Sequence, residues 1–255
     1  MLFRSVAGIY KEAGQFSFKE IQRQKAKVVE KLVNGVEGLL KHHQVSIFKG
    51  EATLKADKVV ECAGKHYTAD HVVIATGSQP AMLNIPGVEH AITSTDLLAI
   101  PSIPKRLAII GGGVIGLELA SAFNAFGSAV TVIEMMDSLL PQEQPQAVAQ
   151  LKKALEKNGL VFHLSARVNK IAKMEGLCRT VCAVGAKEVS VESEAVLMAV
   201  GRRANTACIA PDAGISLTQT RHVKVDRWLQ TDVAGVYAIG DVVGGYRSEE
   251  RRVGK

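Results

Sequence analysis

The stretch RLAIIGGGVIGLELASAFNAFGSAVTVIE, residues 106–134, decides how the chain folds. It opens on the apolar run Leu107, Ala108, Ile109 and Ile110, the pattern of a strand buried on both faces. Gly111, Gly113 and Gly116 then give G-x-G-x-x-G. The first glycine permits a tight strand-to-helix turn. The second lets a pyrophosphate approach the backbone, and the third lets the helix pack close against the strand. Ile115, Leu119, Ala122, Phe123 and Phe126 stand at helical spacing and predict a helix over about 114–126, whose free N–H groups and dipole face the phosphates. Gly127 and Ser128 end it, and residues 129–133 read as a second strand. Glu134 follows, 21 residues after Gly113, where a carboxylate accepts hydrogen bonds from the adenosine ribose hydroxyls.

A strand, a helix, a second strand and a terminal acid around the glycines separate this stretch from a chance glycine-rich turn. A 2′-phosphate would be repelled by Glu134, and residues 135–138 offer no arginine to hold one. NAD(H) is therefore expected over NADP(H).

The bulk of the chain fits a globular nucleotide-binding protein. Its 255 residues suffice for one large or two smaller domains. The composition is 47% apolar and 22% charged, with no apolar run of membrane-spanning length and no signal-peptide pattern at the start. Neither a membrane nor a nucleic-acid partner is expected. The net charge of +6 is scattered, and the Lys-rich stretch 19–41 also holds Glu20, Glu30 and Glu37. Cys62, Cys178, Cys182 and Cys208 form no C-x-x-C, and no zinc-type spacing is present. Cys178 and Cys182 fall in a predicted strand and share one face of it. Free thiols and a cytoplasmic location are expected.

Around the central stretch the pattern is that of an α/β protein. Residues 18–43 read as one amphipathic helix that packs Ile21, Val28, Leu32, Val36, Leu39 and Leu40 into a core. Residues 45–48, 52–54, 58–60 and 65–67 read as short strands. An apolar strand from His71 runs into the small-residue turn Thr76, Gly77, Ser78, where a backbone can approach a ligand. Residues 93–96 suit the cap of a short helix, and Pro101 and Pro104 mark a linker. After Glu134, a helix over about 146–157, a strand at 161–164 and an antiparallel meander (167–174, 177–184, 187–191) lead to a buried strand at 194–200. A short strand at 222–226 follows. A last strand, 236–239, ends on Gly240 and Asp241, a carboxylate well placed for a ligand hydroxyl.

Taken in order, VVIATGSQP (72–80), GGGVIGLE (111–118), Glu134, VGRRANT (200–206) and TDVAGVYAIGDV (231–242) resemble the flavoprotein pyridine nucleotide–disulfide oxidoreductases, the dihydrolipoamide dehydrogenases above all. The resemblance runs from about residue 1 to Gly245. Mercuric reductases are similar enough to stand as an alternative. The glutathione reductases differ in carrying basic residues after the second strand.

The resemblance implies an α/β fold in which a Rossmann-type NAD-binding domain is inserted in an incomplete FAD-binding domain. The NAD domain would be 103–225. Residues 1–102 would be a partial FAD domain, and 226–245 its returning segment. Thr76, Gly77 and Ser78 would touch FAD, Asp241 would hold a ribityl hydroxyl, and Gly50 would lie by the FAD adenine. Gly111, Gly112, Gly113, Val114, Ile115, Gly116, Leu117, Glu118 and Glu134 would bind NAD. Val168 would lie against its adenine and Gly201 near its nicotinamide, with Glu118 close to flavin and nicotinamide. Electrons would pass between dihydrolipoamide, a disulfide, FAD and NAD. A homodimer serving a 2-oxoacid dehydrogenase complex is the implied assembly.

Parts of that pattern are not in this sequence. Upstream of Val72 there is no G-x-G-x-x-G, and the C-x-x-x-x-C helix with its lysine is absent. None of His42, His43, His66, His71, His90, His163 and His222 sits in the family's His-Glu motif. The chain is therefore expected to be an internal fragment, inactive alone, with NAD binding as its remaining property. Residues 246–255 depart from the pattern and resemble the conceptual translation of a sequencing adapter, so a non-native tail is expected there.

Overall fold

A computed structural model describes residues 10–12 and 15–245, with side chains from Ser17 onward. The expected tail, 246–255, lies outside the described residues.

In chain order, β1 (Tyr10–Glu12) and β2 (Gln15–Phe16) form a small antiparallel pair that leads into α1 (Phe18–His42). Next come β3 (Ala52–Leu54), β4 (Val60–Cys62), β5 (Lys65–Tyr67), β6 (Val72–Ile74), β7 (Ser78–Pro80) and the short α2 (Ser94–Leu98). The nucleotide-type unit follows as β8 (Arg106–Ile110), α3 (Val114–Ala125), β9 (Ala129–Ile133), α4 (Pro145–Lys157) and β10 (Val161–His163). Then come β11 (Ala166–Met174), β12 (Leu177–Val184), β13 (Lys187–Ser193), β14 (Ala195–Met198), β15 (Arg202–Ala204) and β16 (Val236–Ala238).

These elements form two compact units: the described residues up to 44 with 80–201, and residues 45–79 with 202–245. The first is built on a four-stranded parallel sheet in the order β10-β9-β8-β14. β8 lies between β9 and β14, so both its edges are paired, and with layers on both faces of the sheet Leu107, Ala108, Ile109 and Ile110 are at most 3% exposed. Each large side chain among them contributes about 1.5–3 kcal/mol on burial. One face packs Leu117, Ala120 and Phe123 of α3 with Val148 and Leu155 of α4. The other face meets the meander β11-β12-β13 through Val168, Ile171, Cys178 and Cys182. The predicted strand, helix, strand and meander are all present here, within a residue or two of their expected ends.

In the second unit, β16 pairs with β6 in parallel, β15 pairs with β7, and β3-β4-β5 form an antiparallel sheet. Leu54, Ile74, Ala204, Val223, Val236, Ala238 and Val242 form its core.

Three expectations need correction. The helix predicted at 18–43 forms, with Ser17 as its N-cap, but none of its residues is buried. Val28, Val29, Leu32, Val33, Val36 and Leu39 are all at least half exposed. The pattern gave the apolar face correctly, but no described element covers it. Residues 45–48 form no strand, and Val45, Ile47 and Phe48 are exposed. Alternation makes a strand only where a neighbour takes up the backbone hydrogen bonds. Residues 222–226 likewise form no named strand, only the isolated bridge Leu217 to Val223.

Candidate nucleotide-binding site

In the first unit the glycine turn sits at the carboxyl end of β8. Gly111 has φ 111°, a conformation that favours glycine. A Cβ there would lie 2.3 Å from the carbonyl oxygen of Ala199, just past β14. A Cβ on Gly116 would lie 2.1 Å from the carbonyl oxygen of Gly111, so its absence sets how closely α3 approaches the turn. Gly113 differs from both: a Cβ there would meet nothing within 4 Å. It is the N-cap of α3, and no side chain caps that helix. The turn therefore offers an open backbone and uncapped first-turn N–H groups, the arrangement a pyrophosphate needs.

Glu134 closes the site from the end of β9. Its Oε2 accepts the N–H of Gly112 at 2.6 Å, and its Oε1 accepts the N–H of Met136 at 2.8 Å. A carboxylate has room for about four hydrogen bonds, so this clamp leaves acceptor capacity for two ribose hydroxyls. Leu139, 1% exposed, packs against Gly112, where a Cβ would lie 2.5 Å from its Cδ2. The N–H of Leu140 donates to the Gly112 carbonyl at 3.3 Å. Leu139 and Met136 had no signature in the sequence, because their part is to shape the backbone around Gly112 and Glu134. Val114, Ile115 and Leu117 lie on the first turns of α3, and Glu118 is exposed there. Val168 is buried in β11, and Gly201 is exposed with φ 114°. The residues present fit NAD on three counts: open space at Gly113, an uncapped helix start and a pre-positioned carboxylate.

In the second unit, β6 and β16 run in parallel and deliver two turns side by side. Ser78 Oγ donates to Asp241 Oδ2 at 2.8 Å. Arg202 donates from Nε to Ser78 Oγ at 2.7 Å and from Nη2 to the Ser78 carbonyl at 2.6 Å. Arginine can only donate and a carboxylate can only accept, so the Ser78 proton is committed to Asp241. Asn205 holds the preceding residues. Its N–H donates to the Gly77 carbonyl at 2.9 Å, and Thr76 Oγ1 donates to the Asn205 carbonyl at 2.7 Å. Ser78 thus stands beside Asp241, while Thr76 is tied to Asn205. Arg202 and Asn205 were missed, since their partners are more than 120 residues away in sequence. Gly50 lies apart from this cluster, against Cys62, whose Sγ would be 2.9 Å from an added Cβ.

The cluster is polar, with two backbone turns and the Asp241 carboxylate held by Ser78. The 255 residues hold one G-x-G-x-x-G, that of the first unit. Among the described residues no group of His, Cys, Asp and Glu is placed to hold a metal ion. No described helix is long and apolar enough to cross a membrane.

Comparison with known proteins agrees with this geometry. The chain is 37% identical over 235 residues to a dihydrolipoyl dehydrogenase of Acholeplasma laidlawii, covering 90% of this chain and 68% of that protein. It is 37% identical over 245 residues to a dihydrolipoyl dehydrogenase of Bacillus subtilis, covering 93% and 52%. Among solved structures, the Cu(II) complex of the HOCl-induced flavoprotein disulfide reductase RclA from Escherichia coli superposes with a TM-score of 0.83 at 29% identity, over 91% of this chain and 54% of that one. The chain thus spans between about half and two thirds of the length of these relatives. The profile of the pyridine nucleotide-disulphide oxidoreductases matches residues 3–253, which with the glycine turn and its carboxylate makes this chain a member of that family.

Proposed function

We propose that the chain is the nucleotide-handling part of a dihydrolipoyl dehydrogenase-type flavoenzyme. The observation that carries this is the glycine turn, with open space at Gly113 and the Glu134 carboxylate fixed beside it. Residues 103–225 are the proposed NAD domain, and 1–102 with 226–245 contribute to a FAD domain. NAD(H) would lie with its pyrophosphate on the N–H groups of residues 113–116 and its adenosine ribose on Glu134. Val168 would flank the adenine, and Glu118 and Gly201 the nicotinamide end. The 76–78 turn and Asp241 would hold the ribityl chain of FAD, with Gly50 toward its adenine.

Flavin and nicotinamide supply the two-electron chemistry when bound. The residues of this chain bind and orient. Their part is to fix the ribose hydroxyls and phosphates and to favour the cofactor without a 2′-phosphate. Oxidation of dihydrolipoamide also needs a redox disulfide and a histidine base, which no residues of this sequence match. The complete activity, a homodimeric assembly and service to a 2-oxoacid dehydrogenase complex are proposed for the whole enzyme. A cytoplasmic location is proposed as well, in keeping with four free cysteines.

Calorimetric titration of the purified chain tests the reading. The expected result is one NADH bound per chain, with NADPH weaker by at least about tenfold. The preparation should be colourless and without lipoamide activity. Tighter binding of NADPH than NADH would remove the role given to Glu134. Failure to bind either nucleotide would remove the proposed function.

A further inference from the structure

Two methionines, Met135 and Met136, follow the Glu134 carboxylate directly. Among the described methionines Met135 is the most exposed, at 65%, and Met136 is 45% exposed, whereas Met198 is buried. Their backbone is held at three points. The Met136 N–H donates to Glu134 Oε1 at 2.8 Å. The Met136 carbonyl accepts the N–H of Ser165 at 2.8 Å, and the Glu134 carbonyl accepts that of Ala166 at 2.8 Å. The pair is thereby fixed between the carboxylate proposed for the adenosine ribose and the start of β11, two residues before the Val168 proposed to flank the adenine.

An exposed thioether is reactive as well as apolar. In its native form methionine sulfur is soft and makes a favourable contact with an aromatic ring. A two-electron oxidant of the peroxide class converts it to the sulfoxide. An S–O bond forms, the O–O bond breaks, sulfur gives up two electrons, and the second peroxide oxygen leaves as water. The product side chain is polar and chiral.

From this we infer that Met135 and Met136 are a modification site on the rim of the nucleotide site, and that their oxidation by peroxide weakens NADH binding. The inference rests on the NAD(H) reading of the Glu134 site. A sulfoxide sets an acceptor oxygen where the adenine brings an apolar face, beside a carboxylate that is already negative, so the sulfur–ring contact is lost. A bound nucleotide in turn covers the two sulfurs and shields them.

Calorimetry on the full chain before and after oxidation tests this. The chain carries Cys208→Ser, which leaves only buried native thiols. It is treated with hydrogen peroxide, freed of the reagent and titrated with NADH, and peptide mass mapping locates the sulfoxides. With residues 135 and 136 oxidised, NADH affinity should fall at least about fivefold. Met135→Leu with Met136→Leu keeps apolar side chains and removes the oxidisable sulfurs, so its affinity should be the same before and after peroxide. NAD+ present during the treatment should slow oxidation at both residues. The inference is overturned if residues 135 and 136 resist peroxide, if NAD+ gives them no shielding, if affinity is unchanged once both sulfoxides have formed, or if the leucine variant loses as much affinity as the parent. Each of those results leaves the nucleotide reading standing. An untreated chain that binds no NADH removes that reading, and this inference with it.

Discussion

The carboxylate of Glu134 and the backbone N–H of Gly112, twenty-two residues apart, share a hydrogen bond of 2.6 Å. The acid that ends the second strand is thereby tied to the turn that follows the first. One residue thus fixes the glycine turn and, in the proposed complex, would also face the ribose.

Replacing that acid should cost twice over. Glu134→Ala leaves the Gly112 N–H without its partner and removes the ribose acceptor. Hydrogen bonds to a charged group contribute about 1.5–3 kcal/mol, so NADH affinity should fall roughly 10- to 100-fold. Glu134→Gln should not rescue it, because its amide NH2 faces one of two N–H donors. Calorimetry on the three proteins measures both effects.

Gly113 and Gly116 should separate binding from folding. An added methyl at Gly116 lies 2.1 Å from a backbone carbonyl, so Gly116→Ala should destabilise the protein by about 1–3 kcal/mol or more. Gly113 has φ −78° and open space at its missing Cβ. Gly113→Ala should therefore melt within about 0.5 kcal/mol of the parent yet bind NADH at least about tenfold more weakly. Thermal melts paired with nucleotide titrations give the contrast.

This division was legible in the sequence, since G-x-G-x-x-G within a strand–helix–strand assigns each glycine its task. The meander was legible too, through its alternation. What an apolar face meets was not: α1 has the period of a packed helix but lacks a covering layer among the described residues. Residues 45–48 alternate like a strand and, among the described residues, have no strand to pair with. The contacts of Arg202 and Asn205 with the 76–78 turn join segments more than 120 residues apart, and spacing along a chain carries no mark of such contacts.

The cysteines should react in two classes. Cys62, Cys178 and Cys182 are buried, and burial raises the pKa of Cys182 above the ordinary thiol value, which keeps it protonated and unreactive at neutral pH. Cys208 is partly exposed. An aromatic disulfide reagent should titrate Cys208 first, and the other three only after denaturant is added.

Asp96 should show an acid-side signature. Thr93 and Asp96 form a reciprocal cap at the start of α2, in which Asp96 Oδ2 accepts from the Thr93 N–H at 2.8 Å and from its hydroxyl at 2.6 Å. These bonds, the hydroxyl's first, hold the carboxyl below the ordinary aspartate range. A lowered folded-state pKa gives stability that is present above the unfolded value and lost as pH falls through the folded one. The cap should therefore loosen only in acid, below the ordinary aspartate pKa, and Asp96→Asn should abolish that step. Carboxyl carbon NMR titration reads the site directly, and an Asp96 midpoint at or above that of free aspartate would contradict it.

The space where Gly111 lacks a side chain is taken by the carbonyl of Ala199, and the Ala199 N–H in turn donates to Ile110 at 2.8 Å. The phosphate turn is thus finished by a strand end that arrives some ninety residues later in synthesis. A nascent chain that has exposed β8, α3 and β9 to solvent already carries every residue of the motif but not yet the turn's final shape. Joining distant segments in this way is slow compared with local helix formation. The appearance of nucleotide affinity during refolding should follow the arrival of β14, which makes NADH a reporter of the last assembly step.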